Sequence, residues 1–168
     1  PFSACRRRCP APLLAGKIAR MRDAPNQTVA AFGWPNSLVK DYGAWVVLIR
    51  PAQPTLGSLV LASTEPALAF SELSDEGFRT LPIAIRDIET ALKRAFAYDK
   101  INYLMLMMVD PQVHYHVIPR YAAPRDFGGA TFVDTGWPKT PNLGDAYALD
   151  AAVLAAHLRN YWPNSAPN

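Results

Sequence analysis

The spacing of hydrophobic positions changes several times along the chain, and each change marks a different element. Ala44-Trp45-Val46-Val47-Leu48-Ile49 is an unbroken β-branched and aromatic run, which suits a buried strand. Pro51 and Pro54 interrupt it, and Ser58-Leu59-Val60-Leu61-Ala62 reads as its hairpin partner, with Thr55-Leu56-Gly57 near the turn. The period then lengthens. Phe78, Leu81, Ile85, Ile88, Leu92 and Phe96 recur at steps of three and four, the stripe of an amphipathic helix. Arg86, Asp87, Glu89, Thr90, Lys93 and Arg94 fill its polar face. Ser74-Asp75-Glu76 has the composition of a helix start, and the helix is expected to end near Ala97. Pro82 breaks the pattern, so the helix either begins near Thr80 or kinks at that turn.

Beyond the helix, Ile101 to Met108 is apolar with Asn102 near its head, Asp110-Pro111 marks a tight reversal, and Gln112 to Pro119 forms the returning arm. Strand alternation places Gln112, His114 and His116 on one face and turns Val113, Tyr115 and Val117 toward the core. A Gly- and Pro-rich stretch over 124–144 precedes a short helix from Asp150 to about Arg159. Hairpin, helix, hairpin predicts an α+β domain: an antiparallel sheet with a helix on one face.

Composition agrees with a single folded domain. Of the 168 residues, 50% are hydrophobic and 18% charged, a balance that supports a core and argues against wholesale disorder. No apolar stretch approaches the roughly 18 residues of a membrane span, so a membrane role is not expected and a cytoplasmic location is. The formal net charge of +3 is misleading until it is located. Arg6, Arg7, Arg8, Lys17 and Arg20 stand in an acid-free leader, leaving 12 of the 17 basic residues against all 14 acids in the rest of the chain. A slightly acidic body offers no basic groove for nucleic acid. Residues 1–20 are expected to be a disordered or artefactual extension upstream of Met21, with residues 21–168 forming the domain. Cys5 and Cys9 could clip a metal, but no histidine or further cysteine lies near them.

Chemistry concentrates in Gln112-Val113-His114-Tyr115-His116-Val117-Ile118-Pro119. A neutral imidazole is a nucleophile able to form a covalent intermediate, and a neighbouring imidazole or amide can donate to phosphate oxygens. Two plainer readings stand beside this one: a solvated strand face, and a His-x-His chelate for zinc, for which His157 and Asp110 are poorly placed third ligands. Asn102, Arg50 and Gln53 are candidate nucleotide-binding residues, each also at home in an ordinary strand start or turn. Arg120 could pair a phosphate bidentately or form a salt bridge. Met105, Met107 and Met108 read as core packing, and His157 as a helix residue.

The segment Gln112 to Ile118 resembles the hallmark His-φ-His-φ-His-φ-φ of the histidine-triad (HIT) superfamily of nucleotide hydrolases and transferases, and the order strand, strand, helix, strand, motif strand is similar as well. The resemblance covers about 45–121. It includes Thr55-Leu56-Gly57-Ser58 and Lys100-Ile101-Asn102-Tyr103, and Pro111-Gln112 and Trp137-Pro138 resemble a bacterial, diadenosine tetraphosphate hydrolase-like branch. It implies a sheet of about five antiparallel strands with a main amphipathic helix and a short C-terminal helix. It also implies His114 as the nucleophile at an α-phosphorus, His116 as a phosphate hydrogen-bond donor, and Gln112 in the place of the family's first histidine. The implied substrates are dinucleoside polyphosphates or nucleoside phosphoramidates carrying a purine nucleotide. The implied assembly is a homodimer. No cofactor is required, although a divalent ion could accompany a polyphosphate. Two departures matter: Gln112 cannot carry a proton at neutral pH, and Met107-Met108-Val109-Asp110-Pro111 replaces the family's Gly-Gln-Ser/Thr loop. They keep open a nucleotide-binding module with little or no turnover, and, from the residues alone, a metal-binding protein.

Overall fold

The structure is a computed structural model and describes residues 25–163; the basic leader and its two cysteines lie outside the described residues. Five strands form one antiparallel sheet: β1 (Leu38–Asp41), β2 (Trp45–Ile49), β4 (Leu59–Ser63), β5 (Lys100–Leu104) and β6 (His114–Arg120), in the order β1-β2-β4-β6-β5. Helix α2 (Asp75–Phe96) and helix α3 (Ala151–Arg159) cover one face, and the short helix α1 (Gln27–Ala31) with the turn after it lies on the other. Three further two-to-three-residue strands and one partner, β3 (Ala52–Gln53) with β9 (Tyr147–Ala148) and β7 (Arg125–Phe127) with β8 (Ala130–Phe132), make small outlying ribbons.

Alternation along the strands divides the core. Trp45, Val47, Ile49, Leu59, Leu61, Val113 and Val117 pack against Ala84, Ile88, Ala91, Leu92 and Phe96 of α2 and Leu154, Ala155 and Leu158 of α3. Val46, Leu48, Val60 and Ala62 face the opposite way, beneath Val29, Phe32 and Trp34. All five residues of β2 and all five of β4 are consequently buried, which is why both read as unbroken apolar runs rather than alternating ones.

Helix α2 starts where the Ser74-Asp75-Glu76 composition placed it and departs from the expected pattern at Pro82, Phe78 and Asp87. It begins at Asp75, capped by the Ser74 hydroxyl accepting from Gly77 N at 3.1 Å, and runs through Pro82 to Phe96. The proline is exposed, and the carbonyl it leaves without an i+4 donor belongs to Phe78, which is 42% exposed; water can satisfy that carbonyl, so the proline is tolerated. Phe78 is therefore not a core residue and stacks edge-on against Phe70 instead. Asp87, expected on the polar face, is buried and accepts the Tyr42 hydroxyl at 2.7 Å.

Two more expectations are corrected. Strand β5 stops at Leu104, so the apolar residues after it form a loop to β6 rather than a tight hairpin; Met105 and Met108 are 36% and 87% exposed and do not pack in the core. Strand β6 begins at His114, leaving Gln112 in a bend before it. Helix α1 and the edge strand β1 had no clear periodic signal, being only five and four residues long.

The turn between β3 and β4 packs tightly against α2. Gly57 has φ +78°, and a Cβ there would lie 2.8 Å from the Phe96 ring. The Thr55 hydroxyl donates to Pro119 O at 2.6 Å, and the Tyr121 hydroxyl to Leu56 O at 2.8 Å, tying this turn to β6. Gly57→Ala is expected to destabilise the fold by about 1–3 kcal/mol through overpacking and an unfavourable backbone conformation, read as a lower urea midpoint with an unchanged slope.

Candidate functional site

His114 and His116 project from the face of β6 that α2 does not cover, opposite Ala62 and Val60 of β4. They are not on a solvated face: His114 is 1% and His116 8% exposed. Phe32, in the turn after α1, lies 5.7 Å from each imidazole, and the two imidazoles are 5.0 Å apart, edge to face. The remaining approach is a cavity of about 230 Å³ lined by Leu106, Met107, Met108, Val109, Asp110, His114 and His116. Its walls come from the β5–β6 loop, in which Met107 holds a positive φ of 46°.

One hydrogen bond determines what His114 can do. Its Nδ1 is 2.8 Å from the main-chain carbonyl of Gln112. A carbonyl only accepts, so Nδ1 carries the proton and Nε2 keeps its lone pair. That is the tautomer required of an Nε2 nucleophile, and an imidazolium formed by reaction at Nε2 would be stabilised by the same carbonyl.

His116 is different. Its Nδ1 is buried without a partner, and burial, with lesser contributions from His114 and the Arg50 cation, lowers its pKa to about 4. It is neutral at pH 7. Arg50, half-buried near the end of β2, donates to Ala52 O, while its Nε is also buried without a partner. His116 thus brings an unpaired ring nitrogen to the cavity wall, and Arg50, outside that wall, has an unpaired Nε and a charge that reaches His116, features suited to an anionic group.

The other sequence candidates are placed elsewhere. The Gln112 amide oxygen is engaged by α1: its Oε1 accepts from Thr28 N at 3.1 Å and from the Thr28 hydroxyl at 2.6 Å. Gln53 is fully buried, with its amide donating to Ser58 O and accepting from Ser58 N, both at 2.9 Å, so it shapes the turn. Asn102 accepts from Arg120 at 2.9 Å, and Arg120 is buried in a bidentate pair with Asp134, its Nε 2.6 Å and its other terminal nitrogen 3.0 Å from that carboxylate. Arg120 is therefore a structural tie between β6 and the segment after β8. Phe32 and Thr28 were missed, because a short helix separated from the motif by some eighty residues leaves no local signal of the contact. His157 packs among Phe96, Phe127 and Tyr161, far from these residues in the fold. Among the described residues no three His, Cys, Asp or Glu side chains gather as a cation site.

No family profile matches the sequence, and no curated protein does. Solved structures match at the level of fold. A histidine-triad protein from Sinorhizobium meliloti 1021 superposes with a TM-score of 0.62 at 19% identity, over 82% of this chain and 96% of that one. A histidine-triad protein from Bradyrhizobium japonicum gives 0.56 at 22% identity, covering 75% and 91%. This chain has the histidine-triad fold. A third structure with the histidine-triad fold, the diadenosine triphosphate hydrolase of Plasmodium falciparum in complex with cyclomarin A, gives 0.56 at 10% identity over 76% of each chain. Among the described residues no helix is long and apolar enough to cross a membrane.

The low pKa of His116 has a consequence for stability. Between pH 4 and the ordinary histidine value near 6.5 the unfolded chain binds a proton that the folded chain refuses. Stability should therefore be full above pH 6.5 and decline as pH falls toward 4. His116→Gln is expected to flatten that part of the profile, measured as urea midpoints from pH 4 to 8.

Proposed function

We propose that this protein is a histidine-triad nucleotide hydrolase or nucleotidyl transferase acting at an α-phosphate through a covalent intermediate on His114. The observation that carries the reading is the Nδ1–carbonyl hydrogen bond, which leaves Nε2 unprotonated on a ring that lines the cavity. In the first step the Nε2 lone pair forms a bond to the α-phosphorus. The bond from phosphorus to the leaving group breaks, and its electron pair departs with the leaving group, which takes a proton from solvent if it is an amine. His116, neutral at working pH, donates a hydrogen bond from its ring N–H to a phosphate oxygen and keeps the proton, and Arg50 supplies positive charge. Water then attacks the phosphorus, the Nε2–P bond breaks with its electrons returning to Nε2, and the water proton passes to solvent. Transfer replaces water with another acceptor hydroxyl. No metal is required in either step.

The chemistry of the cavity favours one substrate class. Its volume of about 230 Å³ is below the roughly 300–1,000 Å³ of pockets that take a whole drug-sized ligand, which suits a phosphate and a leaving group rather than an entire dinucleotide. Its loop wall is aliphatic with one carboxylate, Asp110, and contains no cation. A polyphosphate leaving group would meet like charge there; two unit charges 4 Å apart repel by about 4 kcal/mol at an effective dielectric of 20. An amine leaving group takes up protons as the P–N bond breaks and leaves as an ammonium cation at neutral pH, so the carboxylate attracts it instead. Nucleoside phosphoramidates of a purine are therefore the preferred reading over diadenosine polyphosphates. The open edge of the half-exposed strand β5 offers a place for two copies to pair, and we take the working form to be a homodimer.

The test is AMP release from an adenosine alkylphosphoramidate and from diadenosine tetraphosphate, comparing the wild-type chain with His114→Gln. Wild type should release AMP, with kcat/KM at least tenfold higher for the phosphoramidate, and an alkaline quench, in which the P–N bond is stable, should retain AMP on the protein. His114→Gln should be at background. AMP binding without release from either substrate would overturn the enzyme reading in favour of a binding module.

A further inference from the structure

We infer that Thr28 is a positioning residue that acts through Gln112 to hold His114 in its nucleophilic tautomer. This rests on the reading of His114 above. The Thr28 side chain is fully buried. Its hydroxyl donates to Gln112 Oε1 at 2.6 Å and accepts from Gln112 N at 3.2 Å, while Thr28 N donates to the same Oε1 at 3.1 Å. One threonine thus grips both the side chain and the main chain of Gln112. The carbonyl of that residue accepts from His114 Nδ1. The chain of contacts is continuous: α1, Thr28, Gln112, His114.

The arrangement explains a glutamine here better than an imidazole would. Gln112 Oε1 accepts two hydrogen bonds at once from adjacent donors of α1; a neutral imidazole nitrogen has a single lone pair for the same task. Gln112 sits in a bend outside any strand. The peptide bearing its carbonyl is held on the far side by Val113 N, which donates to Ala67 O at 3.0 Å, and Thr28 supplies the restraint on the Gln112 side. Helix α1 is itself anchored to the sheet, with the Asn26 amide donating to Ser63 O at 2.8 Å and Val29 buried beneath it. Without the grip of Thr28, the Gln112 carbonyl would be held from the Val113 side alone; its bond to His114 Nδ1 would loosen, and the ring could carry its proton on Nε2, where it cannot attack phosphorus.

The experiment reads the tautomer directly, by nitrogen-15 NMR of histidine-labelled full-length protein at pH 7, alongside AMP-release kinetics. Wild type should show His114 protonated at Nδ1 alone. Thr28→Val keeps the shape and removes the hydroxyl; it should populate the Nε2-protonated form and lower kcat about tenfold with little change in KM. Thr28→Ser should restore both. Gln112→Met tests the same grip from the half-exposed loop side, in case the buried Val substitution disturbs α1, and should shift the tautomer in the same direction. Retention of the Nδ1-protonated form and of wild-type kcat in Thr28→Val, or of that tautomer in Gln112→Met if Thr28→Val does not fold, would overturn the inference. Absence of AMP release from wild type would instead count against the enzyme reading, and the tautomers would still decide the role of Thr28.

Discussion

The structure turns on the two-sidedness of β6. Tyr115 and Val117 must face α2, because together with Trp45, Leu61 and Ile88 they make up the larger core. With a period of two, His114 and His116 then have no choice but the other face. Pairing with β4 sets them against Ala62 and Val60, small apolar neighbours that leave space for imidazoles and offer no hydrogen bond to them. Every other property of the site follows from that placement. A single-residue slip would put both histidines into the helix-facing core and Tyr115 into the cavity.

The two buried imidazoles meet different surroundings. His114 is given one acceptor, a backbone carbonyl that settles which nitrogen bears the proton. His116 is given none, and desolvation keeps it neutral well below neutral pH. Phe32 shields both from water on one side, while the β5–β6 loop leaves the cavity open on the other. The imidazoles are thus reached through the cavity and shielded elsewhere.

Support for the site comes from places distant in sequence. Thr28 and Asn26 tether α1 to the loop and to β4, and the turn around Gly57 is held against Phe96 and bonded to β6 at Pro119. Arg120, bound to Asp134 and Asn102, fixes the far end of β6. The strand carrying the histidines is thus restrained before it, beside it and after it. Such restraint is what keeps reacting groups within the narrow range of geometry that catalysis requires.

Strongly periodic elements were legible in the residues themselves. The buried runs of β2 and β4, the three-and-four spacing of α2 and the alternation of β6 are local consequences of backbone geometry, and they suffice for the sheet-and-helix architecture and for His114 and His116 sharing a face. The residues also named Gln112, but not its partner. That Gln112 turns its amide to Thr28, that Gln53 and Arg120 serve the scaffold, and that Met108 lines a cavity while Met107 both lines it and packs against the core were decided by tertiary structure. Each depends on contacts between segments far apart in the chain. A glutamine, an arginine or a methionine is compatible with several environments, and only the packing of the whole domain selects one. Periodicity reports which way a side chain points; what it meets there is a property of the fold.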